Sequence, residues 1–384
     1  MKIGFDAKRA FLNDRGLGNY SRTIINSLTT YFDDNQYFLY TPSANLNLAG
    51  QLTQLQNLSI RTPQKNYHKW FKGSLWRSLF LGNDIAADQI DIYHGLSHEL
   101  PFNITKSKSK NIVTIHDLIF LQKPHLYPFL DRLIYHKKWT HSCQVADKII
   151  AVSQKTKQDI VDLLSIDADK IEVVYPSCDP VYYDGSDAMM LAHGFFPNEK
   201  YNILQQVPDN FILYVGAIVE RKNLLNIVKA LQQLNSRLQI PLVVVGKGKA
   251  YRQKVEKYIH ENDLENQISF LDDISNEQLS VIYKKAELLV YPSDYEGFGL
   301  PIVEALFSHT PVIAARGTCL EETGGKDSIY IEAQNIEEMA DAIERVLTDT
   351  TLAQKMSENG WQHAQQFRRE MAALQTINIY KALI

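Results

Sequence analysis

Four short segments carry residues whose types and spacing could do chemistry. In Tyr291-Pro-Ser-Asp-Tyr-Glu296-Gly-Phe-Gly-Leu-Pro301-Ile-Val-Glu304, two carboxylates are separated by seven residues that include Gly297, Phe298, Gly299 and Leu300. Proline suits the first helical position, so a helix is expected to open at Pro301, with Glu296 in the loop and Glu304 in the first turn. Backbone N–H groups and the dipole at such a helix start favour an anion, and glycines let a ligand approach the backbone. The blander account is that Glu304 only complements the dipole, worth ~0.3–1 kcal/mol.

The second segment, Tyr214-Val-Gly216-Ala-Ile-Val-Glu-Arg221-Lys222-Asn223-Leu224, runs from a strand through a glycine loop into a helix. Cations prefer the other end of a helix, so Arg221 and Lys222 are better explained by a diphosphate than by the dipole. In the third, Val113-Thr-Ile-His116-Asp117-Leu118, His116 follows a strand, at the edge where open α/β sheets place ligands. The fourth is Arg15-Gly16-Leu-Gly18-Asn-Tyr20-Ser-Arg22, a glycine-rich turn between the first strand and its helix. It fails as a dinucleotide fingerprint because Ser21 holds the third glycine position, and Gly246-Lys-Gly248 is equally weak.

Two further patterns have competing readings. Asp167-Ala-Asp169 has the spacing of a divalent-metal site, but it sits at a helix-to-strand turn, where aspartate is favoured for local hydrogen bonding. No metal is expected. Trp70-Phe71-Lys72, Trp76-Arg77 and Phe80 read either as a core-covering helix or as a surface for a lipid-linked acceptor.

The elements that must position these residues are short β-branched runs alternating with longer amphipathic stretches, the signature of βα units feeding parallel sheets. Strands are expected near Lys2–Asp6, Tyr37–Tyr40, Ile90–Tyr93, Ile112–Ile115, Lys148–Val152 and Ile171–Tyr175. A second series follows at Phe211–Val215, Leu242–Val245, Ile268–Phe270, Leu288–Tyr291, Val312–Ala315 and Ile329–Ile331. Between the series, the stretch from Tyr175 to Asn210 is rich in proline and glycine with little periodicity, which places a domain boundary there.

With 384 residues, 45% hydrophobic and 22% charged, the chain has the composition of a two-domain globular protein. A net charge of −4 without evident segregation excludes sequence-independent nucleic-acid binding. Cys143, Cys178 and Cys319 fit neither a disulfide framework nor a structural zinc site, and the N-terminus enters a strand pattern directly. A cytoplasmic chain whose membrane contact is peripheral at most is expected, since no apolar run approaches the ~20 residues of a bilayer span.

Taken in order, these segments resemble family 4 of the glycosyltransferases, retaining GT-B enzymes, and its mannosyltransferase-like members in particular. The Glu296–Glu304 segment is the most specific element. Arg221-Lys222-Asn223, Ile115-His116-Asp117-Leu118, Gly16-Leu-Gly18-Asn-Tyr20 and Ala151-Val152-Ser153 support it.

The resemblance implies two Rossmann-like domains with parallel sheets facing each other across a cleft. Residues 1–180 would form the acceptor-side domain, joined by a C-terminal helix at 367–384, and residues 181–366 the nucleotide-sugar domain. It implies that Lys222 and Arg221 bind the donor diphosphate, Glu304 the ribose, and Glu296, within Gly297-Phe298-Gly299-Leu300, the transferred sugar. His116 would reach that sugar from the other domain, and the Gly16–Gly18 loop would close over the phosphates. The expected activity is metal-independent transfer of a hexose, mannose from GDP-mannose as first choice, to a glycan or lipid-linked acceptor. Three positions depart from the family pattern: Ala217 replaces an arginine, for which Arg221 substitutes, His309 replaces a glycine and Leu320 a proline.

Other classes are a catalytically degenerate partner subunit, an NAD-dependent oxidoreductase and a glycoside hydrolase. The intact Glu296, Glu304, Lys222 and His116 argue against the first, the missing glycine fingerprint against the second, and the basic pair against the third.

Overall fold

The computed structural model describes residues 1–13, 16–45, 57–63, 73–183 and 203–384. The chain divides into two compact units, Met1–Ser177 with Phe367–Ile384, and Cys178–Gln366.

In the first unit, β1 (Lys2–Asp6), β2 (Gln36–Tyr40), β3 (Leu58–Arg61), β4 (Ile92–Gly95), β5 (Lys110–Ile115), β6 (Lys148–Ala151) and β7 (Ile171–Val173) form one sheet in the order β3-β2-β1-β4-β5-β6-β7. Every pairing in it is parallel. A parallel sheet is covered on both faces, so the middles of its central strands are buried and mostly apolar. β5 shows the consequence: Ile112 joins the core that holds Phe5, Tyr37 and Ile92, while Val113 and Ile115 join the opposite core with Tyr40, Tyr93 and Trp139. The helix Arg369–Lys381 closes the first of these cores with Ala372, Ala373, Ile377 and Tyr380.

In the second unit, β8 (Ile212–Val215), β9 (Leu242–Val245), β10 (Ile268–Leu271), β11 (Leu288–Tyr291), β12 (Val312–Ala315) and β13 (Ile329–Ile331) form a parallel sheet in the order β10-β9-β8-β11-β12-β13. All four residues of Leu242-Val-Val-Val245 are buried. Both sheets start in the middle, grow outward to one edge and then restart beside their first strand. This leaves a topological switch point between β1 and β4 in one unit and between β8 and β11 in the other, where loops diverge and ligands bind.

Several expectations need correction. β3 was not expected: Leu58-Ser-Ile-Arg61 is a partly exposed edge strand whose alternation is too short to register as a period. β4 begins two residues later than Ile90. Gly16 and Gly18 do not lie in a turn: the helix Gly16–Tyr31 begins at Gly16. Arg15, Trp70, Phe71 and Lys72 lie outside the described residues. Trp76 is buried and donates from its indole to Asp84 at 2.7 Å. Arg77 is buried too, between Asp6 (2.6 Å) and Glu99 (2.9 Å), so these two residues belong to the core and not to an acceptor surface.

Candidate active site

The second unit gathers the two acidic and two basic residues singled out above around the β8/β11 switch point. β8 delivers the chain to Gly216, and a single 3-10 turn, Glu220–Lys222, holds both cations before the helix Leu224–Leu234. They therefore precede the helix instead of opening it. Asn223 terminates the turn in the left-handed region, φ 54°, and its side chain donates to the Pro292 carbonyl (2.9 Å) and to Asp294 (2.7 Å). The Asp294 N–H returns a bond to the Arg221 carbonyl at 2.9 Å. The two loops are thus laced together through their backbones.

That lacing sets Glu296 between the cations. Its Oε1 lies 2.8 Å from Arg221 Nη1 and 3.3 Å from Lys222 Nζ, with side-chain exposures of 14%, 15% and 11% respectively for the three residues. The hydroxyls of Tyr291 (3.0 Å) and Ser293 (2.9 Å) donate to the same oxygen, and Lys222 donates to the Tyr291 hydroxyl at 2.6 Å. Burial alone would raise the carboxyl, but Lys222 and Arg221 outweigh it and hold Glu296 at about 2. Burial pushes the Lys222 ammonium down, opposed by Glu296. Gly216 is required here: at φ 143° an added Cβ would stand 2.7 Å from Lys222 Nζ.

Past Glu296 the chain enters the helix Leu300–Phe307 from Gly299, φ 107°, with Pro301 at its second residue. An added Cβ on Gly299 would lie 2.7 Å from Leu320 Cδ2, so the leucine at that departure from the family pattern packs directly on the helix start. The carbonyl of Phe298 is held by Thr323 at 2.7 Å. Glu304 is the fifth residue of the helix and not in its first turn, which contains no acidic residue. Its carboxylate accepts from the Tyr283 hydroxyl at 3.0 Å. Burial, with Asp179 adding to it, raises Glu304 to about 7 against the opposing effect of Tyr283 and Lys222. The two carboxyls of one segment are thus driven in opposite directions: Glu296 is a fixed anion, and Glu304 exchanges its proton near neutrality.

In the first unit, His116 stands directly after β5. Its Nε2 lies 2.8 Å from the Leu96 carbonyl, which can only accept, so Nε2 carries the proton and the neutral ring offers Nδ1 as an acceptor. Burial holds the ring's pKa down at about 4, with the Leu96 carbonyl opposing. The edge of His116 meets the Tyr20 ring, centroids 4.5 Å apart. Tyr20 reaches Thr114 (3.2 Å), Thr114 contacts His94 Nε2 (2.8 Å), and His94 Nδ1 contacts Tyr380 (2.5 Å). A buried line of polar contacts therefore runs from the C-terminal helix to the support of His116. Gly18 stands at the helix start beside it, where an added Cβ would overlap the Asn13 carbonyl oxygen at 1.8 Å.

Sequence reasoning quoted Tyr291, Ser293, Tyr20 and Thr114 within motifs without giving them work, and it missed Tyr283 and His94. A hydroxyl on a helix, as at Tyr283, or a buried histidine in a strand, as at His94, carries no signal until its partner, 20 or more residues away, is known. Asp167 takes the local role: it accepts the Asp169 N–H at 3.0 Å.

Two doubly wound parallel sheets in one chain are the GT-B architecture, and the two carboxylates and two cations gather at the switch point of the second. The sequence profile of Glycosyltransferase Family 4 matches residues 15–182, and that of Glycosyl transferases group 1 matches residues 196–363. The O-antigen chain mannosyltransferase B of Escherichia coli is 30% identical over 295 residues, 76% of this chain and 74% of that protein. The O-antigen chain mannosyltransferase RfbU of Salmonella typhimurium is 26% identical over 245 residues, 61% of this chain and 62% of that one. Among solved structures, HepE of Anabaena in complex with UDP and glucose superposes with a TM-score of 0.75 at 18% identity, covering 100% of both chains. Sucrose-phosphate synthase of Thermosynechococcus elongatus does so with 0.77 at 20% identity, covering 100% of this chain and 99% of that one. The chain belongs to glycosyltransferase family 4.

Proposed function

We propose that the protein transfers a hexose, mannose before others, from a nucleotide-diphosphate sugar such as GDP-mannose to a glycan or lipid-linked acceptor in polysaccharide biosynthesis, with retention and without a metal. The observation that carries this reading is the clamp of Arg221 and Lys222 on Glu296 at the β8/β11 switch point. The names of the two O-antigen mannosyltransferases support the choice of sugar and pathway class.

In this account the diphosphate takes up Arg221 and Lys222, releasing Glu296 to hold the transferred sugar, while Glu304 as a carboxylate accepts the two ribose hydroxyls. The bond from the anomeric carbon to the phosphate oxygen breaks as positive charge grows on the sugar and negative charge on the leaving diphosphate. Two preorganised cations in a water-poor site stabilise that diphosphate by about 3–4 kcal/mol in the transition state, supplying the charge a metal would otherwise bring. The acceptor oxygen bonds to the anomeric carbon on the face the phosphate leaves, and its proton passes to a phosphate oxygen. His116 is assigned to a sugar hydroxyl through Nδ1, and Gly16 and Gly18 to the phosphates. The test is the anomeric configuration of the product made from GDP-mannose with chelator present. An α-linked product supports the reading; an inverted product, or activity abolished by chelator, contradicts it.

A further inference from the structure

The segment that follows β4 carries a second histidine, His98, whose placement has no use in the core. It is 5% exposed, and its backbone sits in the left-handed region at φ 64°, a conformation that a residue with a side chain keeps only where its surroundings enforce it. Its N–H donates to the Thr114 carbonyl at 2.9 Å, which ties the segment to β5 just before His116. Its ring lies flat on Trp139 of the helix Phe129–Val145, with centroids 3.9 Å apart and 6° between the planes. Backbone and ring are thus both held, one by the sheet and the other by the helix.

From that position His98 meets His116 twice. The two rings are edge to face with centroids 5.2 Å apart, and Nδ1 of His98 accepts the backbone N–H of His116 at 3.5 Å, the long end of such a bond. Among the described residues that N–H has no other acceptor. Accepting leaves Nδ1 unprotonated, so His98 carries its proton on Nε2. Burial, with His116, Arg9 and Arg77 adding to it, holds the ring well below the ordinary imidazole range, which keeps that lone pair available. A phenylalanine at this position would stack on Trp139 and leave the His116 N–H without a partner. We infer that His98 is a positioning residue for the transfer reaction: its fixed ring and its Nδ1 set the orientation in which His116 presents its own Nδ1. The inference rests on the reading that His116 meets the transferred sugar.

The test reads GDP release from GDP-mannose and, independently of turnover, the nitrogen NMR signals of the His116 ring in the full-length protein. His98→Phe keeps the stack and removes the acceptor; it should lower kcat about tenfold with KM for GDP-mannose unchanged, as for an interaction felt in the transition state. His98→Asn tolerates the left-handed backbone and carries an amide oxygen at the δ position, so it should restore most of kcat. In a His116→Ala background His98→Phe should cost nothing further, because it acts only through the missing ring. The His116 ring should give one sharp Nε2–H tautomer in wild type and His98→Asn, and a mixed or broadened signal in His98→Phe. Should the phenylalanine variant not fold, His98→Gly, which relieves the backbone, takes its place with the same expected result. The inference is overturned if His98→Phe leaves kcat or the ring signal as in wild type, or costs a further tenfold on top of His116→Ala. Wild-type kcat in His116→Ala would overturn the reading of His116 itself, whereas loss there with none in His98→Phe overturns this inference alone.

Discussion

Glu296 is the residue on which most depends, because it answers two buried cations at once. Removing one partner from a buried ion pair costs about 3–5 kcal/mol, since the remaining charge is left uncompensated. Glu296→Gln is therefore expected to lose several kcal/mol in urea unfolding and to lose transfer activity, while added nucleotide sugar restores much of the stability by returning anions to Arg221 and Lys222. A stable Glu296→Gln protein with near wild-type turnover would remove Glu296 from the role assigned to it. Glu304 gives a pH signature. Its folded pKa of about 7 is raised above the ordinary 4.5, so its favourable contribution is complete below 4.5 and is lost as pH rises through 7. Stability of wild type relative to Glu304→Gln should therefore fall by up to about 3 kcal/mol between those limits, as read by chemical denaturation. GDP-mannose affinity should move the other way, rising with pH through 7 in wild type and staying flat in the variant. The paired spacing of these carboxylates was legible in the sequence. Their opposite titration was not, because it depends on cations 75 and 74 residues away in the chain and on the Tyr283 hydroxyl.

At the scale of elements, the parallel strands were readable because each is a short apolar run closed by a glycine or turn, as in Leu242-Val-Val-Val245. Edge strand β3 escaped for the converse reason, half its residues being polar. Gly16 and Gly18 misled because glycine costs a helix about 1 kcal/mol and signals a turn. The structure supplies the compensation: Arg22 Nη1 bonds the Ala10 (2.9 Å) and Asn13 (2.8 Å) carbonyls, drawing the preceding segment so close that only a hydrogen fits at position 18. Gly18→Ala should cost about 2 kcal/mol or more by overpacking. Lost donor affinity with unchanged stability would instead mark direct phosphate contact. His309, at φ 61° where the family pattern has glycine, stacks on Trp361 with centroids 5.4 Å apart, which offsets its backbone strain.

At the scale of the molecule, two doubly wound units each present one switch point, and in the second unit Arg221, Lys222 and Glu296 lie in the loops there while Glu304 lies in the helix that follows. The C-terminal helix belongs to the first unit through Ala373, Ile377 and Tyr380, so deleting residues 367–384 should expose that core and abolish its cooperative unfolding, monitored by calorimetry. Among the described residues no helix is long and apolar enough to cross a membrane. The most direct measurement of the central claim is thermal stabilisation of wild type and Lys222→Gln by GDP-, UDP- and ADP-sugars, with and without chelator. Binding raises the melting temperature by mass action, so a chelator-insensitive shift with one base, lost in Lys222→Gln, is the predicted result. No shift with any nucleotide sugar, or an equal shift in the variant, would contradict the donor site.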